Sequence, residues 1–149
     1  MKFADFHEGQ VITAGPVAVT ESAIVAFATA HDPQWFHVDL EAAGEGRFGG
    51  VIASGWHTCA IAMRLVVDVA LHGSEAFASP GIAYIKWPHP VRPLDQLSLR
   101  VDVIEAARSR RRDSVGKLRW RWRLSNQHGQ EVLDLEATTL FDLEPVGTT

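Results

Sequence analysis

The order of patterns along this sequence predicts an α+β fold, a single antiparallel sheet curled round one long apolar helix. Three observations lead to it. A stretch beginning near Gly55 and running to Leu71 is apolar around most of a helix's circumference, as a helix at the centre of a fold would be. Beyond Gly73 the pattern changes to the two-residue alternation of half-buried strands. Finally, after one N-terminal strand the helical patterns come together and the remaining strands follow as a run, which separates α+β from alternating α/β.

The elements follow in order. Val11 to Thr20 is rich in β-branched residues but contains Gly15 and Pro16, which suits an edge strand or a bulge. Thr20 offers an N-cap, and Glu21 sits in the first turn of a short helix running to about Ala30, with Ile24, Phe27 and Ala28 on one face. Pro33 disfavours helical backbone at Asp32 and stops that helix. Ala42 to Gly50 holds four glycines and reads as a loop. Ser54 caps the long helix, whose apolar stripe is predicted to be Trp56, Cys59, Ala60, Met63, Val67, Ala70 and Leu71. The first strand after the long helix falls between Gly81 and Pro90, and Arg92-Pro93-Leu94-Asp95 makes a turn. Leu97 to Val103 and Leu118 to Leu124 alternate strictly, Asn126 to Gln130 turns, and Val132 to Leu143 is the last strand.

With 149 residues, 46% of them apolar, the chain is expected to form one domain over residues 1–149. A net charge of −4 says little about partners, but its distribution is uneven. Eight of the 14 basic residues lie between Arg108 and Arg123. Single Cys59 rules out an intrachain disulfide. Neither a signal peptide nor a membrane span is evident, so a cytoplasmic protein is expected. No recognition motif accompanies the basic run, which argues against nucleic acid.

Two segments can carry chemistry. Asp32 and His37 stand five positions apart across Pro33. In a broken, extended segment a carboxylate and an imidazole could meet at one water molecule and share proton acceptance and donation near neutral pH. The plainer alternative makes Asp32 a helix end and His37 a surface histidine. The second segment, Phe48-Gly49-Gly50-Val51-Ile52-Ala53-Ser54-Gly55-Trp56, leads into the long helix. There the free Gly55 N–H could donate to an oxyanion, although a glycine-rich turn before a buried helix would look the same. His57 and Cys59, with no recurring ligand spacing, read as core or lining residues and no metal is expected.

The run His31-Asp32-Pro33-Gln34-Trp35-Phe36-His37-Val38-Asp39, followed by FGGVIASGWHT and by Tyr84-Ile85-Lys86-Trp87-Pro88-His89-Pro90-Val91-Arg92-Pro93-Leu94-Asp95, resembles the MaoC-like dehydratases, relatives of the R-specific enoyl-CoA hydratases. Departures from the usual motif are His31 for Gly, Gln34 for Asn, Trp35 for Pro and Leu94 for the turn Gly. The resemblance implies a hotdog fold, normally a homodimer. It also implies reversible hydration of a 2-enoyl thioester, with Asp32 and His37 as the acid/base pair and the Gly55 N–H binding the thioester oxygen. Gln34, Trp35, Phe36, Ser54, Trp56 and Met63 are candidate pocket residues, and Arg110, Arg111 and Arg112 are candidates for the phosphates of coenzyme A. The substrate would be an acyl-CoA or acyl carrier protein thioester, with no cofactor beyond that carrier. A hotdog thioesterase and a non-catalytic acyl-binding module are the rival readings.

Overall fold

The computed structural model describes residues 1–144. Its elements are β1 (Val11–Ala18), α1 (Glu21–His31), α2 (Trp35–Val38), α3 (Leu40–Glu45), α4 (Gly55–Val66), β2 (Ala76–Lys86), β3 (Gln96–Arg108), β4 (Val115–Ser125) and β5 (Glu131–Asp142). The strands form one antiparallel sheet in the order β1-β3-β4-β5-β2. Helix α4 continues through a π-helical stretch, Val67–Leu71, and packs on the sheet as its central helix. This is the hotdog arrangement that the residue pattern and the resemblance both imply.

Local chemistry sets the boundaries. Thr20 caps α1 by accepting from the Ala23 N–H at 3.1 Å, and Asp32, held off helical geometry by Pro33, closes it. In β1 the pairing with β3 shifts between Ala14 and Val17, at the Gly15-Pro16 step. At Gly15 the positive φ of 94° and the Leu97 carbonyl, 2.8 Å from where a Cβ would stand, leave room for glycine alone. The turn after β2 closes when the Asp95 carboxylate accepts from the Arg92 N–H at 2.9 Å.

The core lies between α4 and one face of the sheet. Trp120, Leu118, Leu124, Leu97, Leu99, Val132, Leu133 and Phe141 rise from the strands against Ala62, Val66 and Ala70 of the helix. On the opposite face, the arginines of β4 are neutralised from both flanks. Arg119 reaches Glu105 and Glu136, Arg121 forks onto Asp134 at 2.8 Å, and Arg123 meets Asp102 at 2.7 Å. Arg100 and Arg121 hold the Asp102 and Asp134 carboxyls below the usual carboxylate range.

Several sequence expectations are corrected. Residues 42–50 are not wholly loop, because Asp39 caps a helical turn and a half, with its carboxylate on the Ala42 N–H at 3.0 Å. The segment after Pro33 is not extended but makes the short helix α2. Strand β2 begins at Ala76 and stops before Pro88. The buried stripe of α4 is His57, Thr58, Ala62, Val66 and Ala70, whereas Trp56 and Met63 are exposed. Those two face a groove of about 560 Å³ between α4 and the β5–β2 edge, lined by Phe77, Ile82, Trp122 and Leu135. An apolar stripe on that side has no cover within the described chain.

Trp120 is fully buried and donates its indole N–H to Thr139 at 3.1 Å. Trp120→Ala is expected to cost about 3–5 kcal/mol, read as a lowered midpoint in urea unfolding.

Candidate active site

Four short segments converge on one cleft at the end of the sheet where β2 finishes and β5 begins. Its volume is about 430 Å³, and its lining includes Asp32, Gln34, Phe36, His37, Gly55, Trp56, Trp87 and His89. The local backbone accounts for the convergence. Pro33 ends α1 at Asp32, and the Gln34 N–H returns to the Asp32 carbonyl at 2.8 Å, turning the chain sharply into α2. The Ile52 N–H then bonds the Phe36 carbonyl at 3.3 Å, and the Ala53 N–H bonds the Val91 carbonyl at 2.9 Å. Those two bonds hold the approach to α4 between α2 and the turn after β2.

His37 is buried, and its Nδ1 lies 2.6 Å from the Ile52 carbonyl. A carbonyl only accepts, so Nδ1 carries the proton and Nε2 keeps its lone pair when the ring is neutral. Nε2 stands 3.3 Å from Asp32 Oδ2. Two acceptors therefore face each other, an arrangement that attracts a proton or the hydrogens of a water molecule. On its other oxygen Asp32 accepts from Gln34 Nε2 at 2.7 Å. The Gln34 amide and the Ser54 hydroxyl hold the Asp32 carboxyl below its ordinary range, with His37 adding to them against the opposing effect of burial. The stabilisation this gives is present above the ordinary carboxylate pKa and is lost as pH falls through the lowered value.

Gly55 is the first residue of α4, and its N–H has no hydrogen-bond acceptor among the described residues. Helix-dipole and unpaired amide together make that position favourable to a developing negative charge. The residue has to be glycine for a reason the sequence does not disclose. Trp87 closes on it, with Cε2 2.6 Å from where a Cβ would stand, and its indole N–H donates to the Gly55 carbonyl at 3.0 Å. Trp56 meets the Trp87 ring edge-on at 5.7 Å.

The other candidate residues divide. Gln34, Phe36 and Trp56 line the cleft. Trp35 does not: it sits in a separate recess with Gly46 and Arg47. Ser54 is fully buried beneath the cleft floor, and Met63 lies in the apolar groove. His57 stacks on Phe27 at 4.8 Å, and burial pushes the Cys59 thiol up, away from a reactive thiolate. Arg110, Arg111 and Arg112 lie on the β3–β4 turn, at the far end of the sheet from Asp32 and His37. The eleven residues of β4 put roughly 30 Å between that turn and the cleft. Sequence reasoning missed Trp87 and His89, whose imidazole Nδ1 is held by the Glu131 carbonyl at 3.0 Å. The Trp-Pro-His-Pro run was a signal for both, since its two prolines fix the backbone at the mouth of the cleft.

Gly55→Ala is expected to displace the Trp87 ring and to cost about 1–3 kcal/mol. A lowered Tm with a shift in tryptophan fluorescence would register both effects.

The family model for the MaoC like domain matches residues 2–119. An uncharacterized protein of Bacillus subtilis, YdeM, is 34% identical over 141 residues, covering 95% of this chain and 99% of its own. The 3-hydroxyacyl-thioester dehydratase Z of Mycobacterium tuberculosis is 36% identical over 77 residues, about half of each chain. The crystal structure of a MaoC-like dehydratase from Rhodospirillum rubrum superimposes with a TM-score of 0.86 at 35% identity, over 96% of this chain and 97% of that one. Fold, cleft and sequence thus agree, and the chain belongs to the MaoC-like dehydratase family.

Proposed function

We propose that the protein is a hydratase/dehydratase that adds water reversibly across the double bond of a 2-enoyl thioester, most simply an enoyl-CoA, to give a 3-hydroxyacyl thioester. The observation behind this reading is the facing pair of acceptors, His37 Nε2 and Asp32 Oδ2, in one cleft with an unpaired helix-start amide. The family supports the hydratase class, and the similarity to a 3-hydroxyacyl-thioester dehydratase over half the chain supports the thioester.

The chemistry follows from the hydrogen bonds. A water molecule donates to both acceptors, which aims its oxygen lone pair at C3 of the bound enoyl group. As the C–O bond forms, the water proton passes to His37 Nε2, the one ring nitrogen not committed to a carbonyl. Asp32, held ionised by Gln34 and Ser54, stabilises the imidazolium. The electron pair of the double bond moves onto the thioester oxygen, where the Gly55 N–H accommodates it. The imidazolium then returns its proton to C2, so one hydrogen and one hydroxyl have been added and the pair is as it began. Dehydration is the same path reversed.

A homodimer joined through β2 is part of the proposal. This edge strand carries no charge from Ala76 to Ile85, exposes Phe77 and Ile82, and borders the apolar groove. Glu75 and Lys86 flank it with opposite signs, so antiparallel pairing with a second copy brings unlike charges together. The same pairing carries the partner's β3–β4 turn to the cleft end of this protomer. There its three arginines, which form no ion pair among the described residues, would meet the phosphates of coenzyme A.

Asp32→Asn and His37→Ala are each expected to lower kcat by about 100-fold or more with little loss of fold. The assay follows the ultraviolet absorbance of the conjugated enoyl thioester alongside release of free thiol. Absorbance loss without thiol is the expected result, whereas thiol release would transfer the protein to the thioesterases. Reversing the charge of Arg110, Arg111 and Arg112 together should raise KM for an enoyl-CoA and leave that for the matching enoyl-pantetheine thioester unchanged. An enoyl-CoA KM unchanged from wild type would remove the phosphate role.

A further inference from the structure

We propose that Trp56 sets the acyl length this protein accepts. Its indole closes the reaction cleft against the apolar groove along α4 and confines the substrate to short-chain enoyl thioesters. The inference rests on the hydratase reading and deepens it by naming a substrate class.

The cleft of about 430 Å³ and the groove of about 560 Å³ are neighbours, and Trp56 alone among the described residues lines both. Its place on the helix explains this. Helical side chains lean toward the helix N-terminus, so at the second position of α4 the indole overhangs the Gly55 end. Cys59, Ala60 and Met63 follow on the same face and line the groove but not the cleft. All three are small or unbranched. An acyl chain that leaves the Gly55 amide and runs along α4 therefore meets Trp56 before it reaches any of them.

The indole is also backed from the cleft side. Trp87 meets it edge-on, with ring centroids 5.7 Å apart. Trp87 is itself fixed, because its N–H donates to the Gly55 carbonyl at 3.0 Å and its ring closes on the Gly55 backbone. The two indoles thus brace each other at the start of the helix. What remains for the acyl group is the space that they bound together with Phe36 and Phe48. On the far side of Trp56 the walls are Phe77, Ile82, Trp122 and Leu135, and no charged side chain lines the groove. The barrier to a longer chain is therefore steric, and removing the indole joins two apolar volumes into one.

The test compares crotonyl-CoA with 2-dodecenoyl-CoA on the wild-type protein, on Trp56→Ala and on Trp56→Ala combined with Met63→Trp. Wild type is expected to favour crotonyl-CoA in kcat/KM by about 100-fold or more. In Trp56→Ala the value for 2-dodecenoyl-CoA should rise about tenfold or more, while that for crotonyl-CoA falls as the short chain loses its contact with the indole. Adding Met63→Trp refills the groove from further along α4 and should cancel the gain. Trp56→Leu keeps an apolar side chain on the helix and should give the same change in smaller measure, which covers a loss of folding in the alanine variant. Equal use of both substrates by wild type overturns the proposal, as does an unchanged preference in the variants or a gain that Met63→Trp leaves intact. Titration calorimetry with butyryl-CoA and dodecanoyl-CoA reads the same selectivity without turnover. A shift in their affinity ratio toward dodecanoyl-CoA in Trp56→Ala supports the proposal, and an unchanged ratio sinks it. If wild-type protein hydrates no enoyl thioester, the reaction assigned above fails, while the calorimetry still decides whether Trp56 limits the chain.

Discussion

The hydrogen bond from the buried His37 ring to the Ile52 carbonyl is the constraint on which the cleft depends. It fixes the imidazole tautomer, and it does so by tying α2 to the strand-like approach to α4. Beside it, the Ile52 N–H holds the Phe36 carbonyl, so the two segments are fastened in both directions at adjacent residues. A four-residue helix has little stability of its own. Here it is held by the partner segment, and the ring orientation that acid/base chemistry requires comes from the same bond.

Two kinds of pressure meet at the start of α4. Helix capping requires a side chain such as Ser54, and close packing of an indole requires a glycine immediately after it. The Ser-Gly pair satisfies both, and the outcome is an amide with no competing acceptor at the positive end of a helix. Trp87 sets the other wall by lying on Gly55 and bonding its carbonyl. The candidate oxyanion site is thus a by-product of how one helix end is capped and covered.

Much of the fold was legible because its signals are local. Pro33 after Asp32, Thr20 and Ser54 as caps, and the strict alternation of β3 and β4 all act within a few residues. The stripe on α4 was misread because periodicity finds an apolar face without saying what covers it. His57 and Thr58 turned out to be buried, and Trp56 and Met63 open to the groove, since the sheet curls against the face that carries smaller side chains. In the site, the Asp32/His37 pair could be anticipated from its spacing and resemblance. The partners that tune it could not. Ile52 and Trp87 act through contacts between segments distant in sequence, which no local pattern marks.

The alternation of Arg119, Arg121 and Arg123 with Trp120 and Trp122 also bears on how the sheet finds its pairing. Sliding β4 by one residue would drive three guanidinium groups into the core beneath α4 and turn two indoles out to water. A slide by two residues would spare the core but part each arginine from its carboxylate on β3 or β5. The first error is forbidden by desolvation, the second is discouraged by charge. The basic face of this strand therefore works, within the sheet, as its own proofreader.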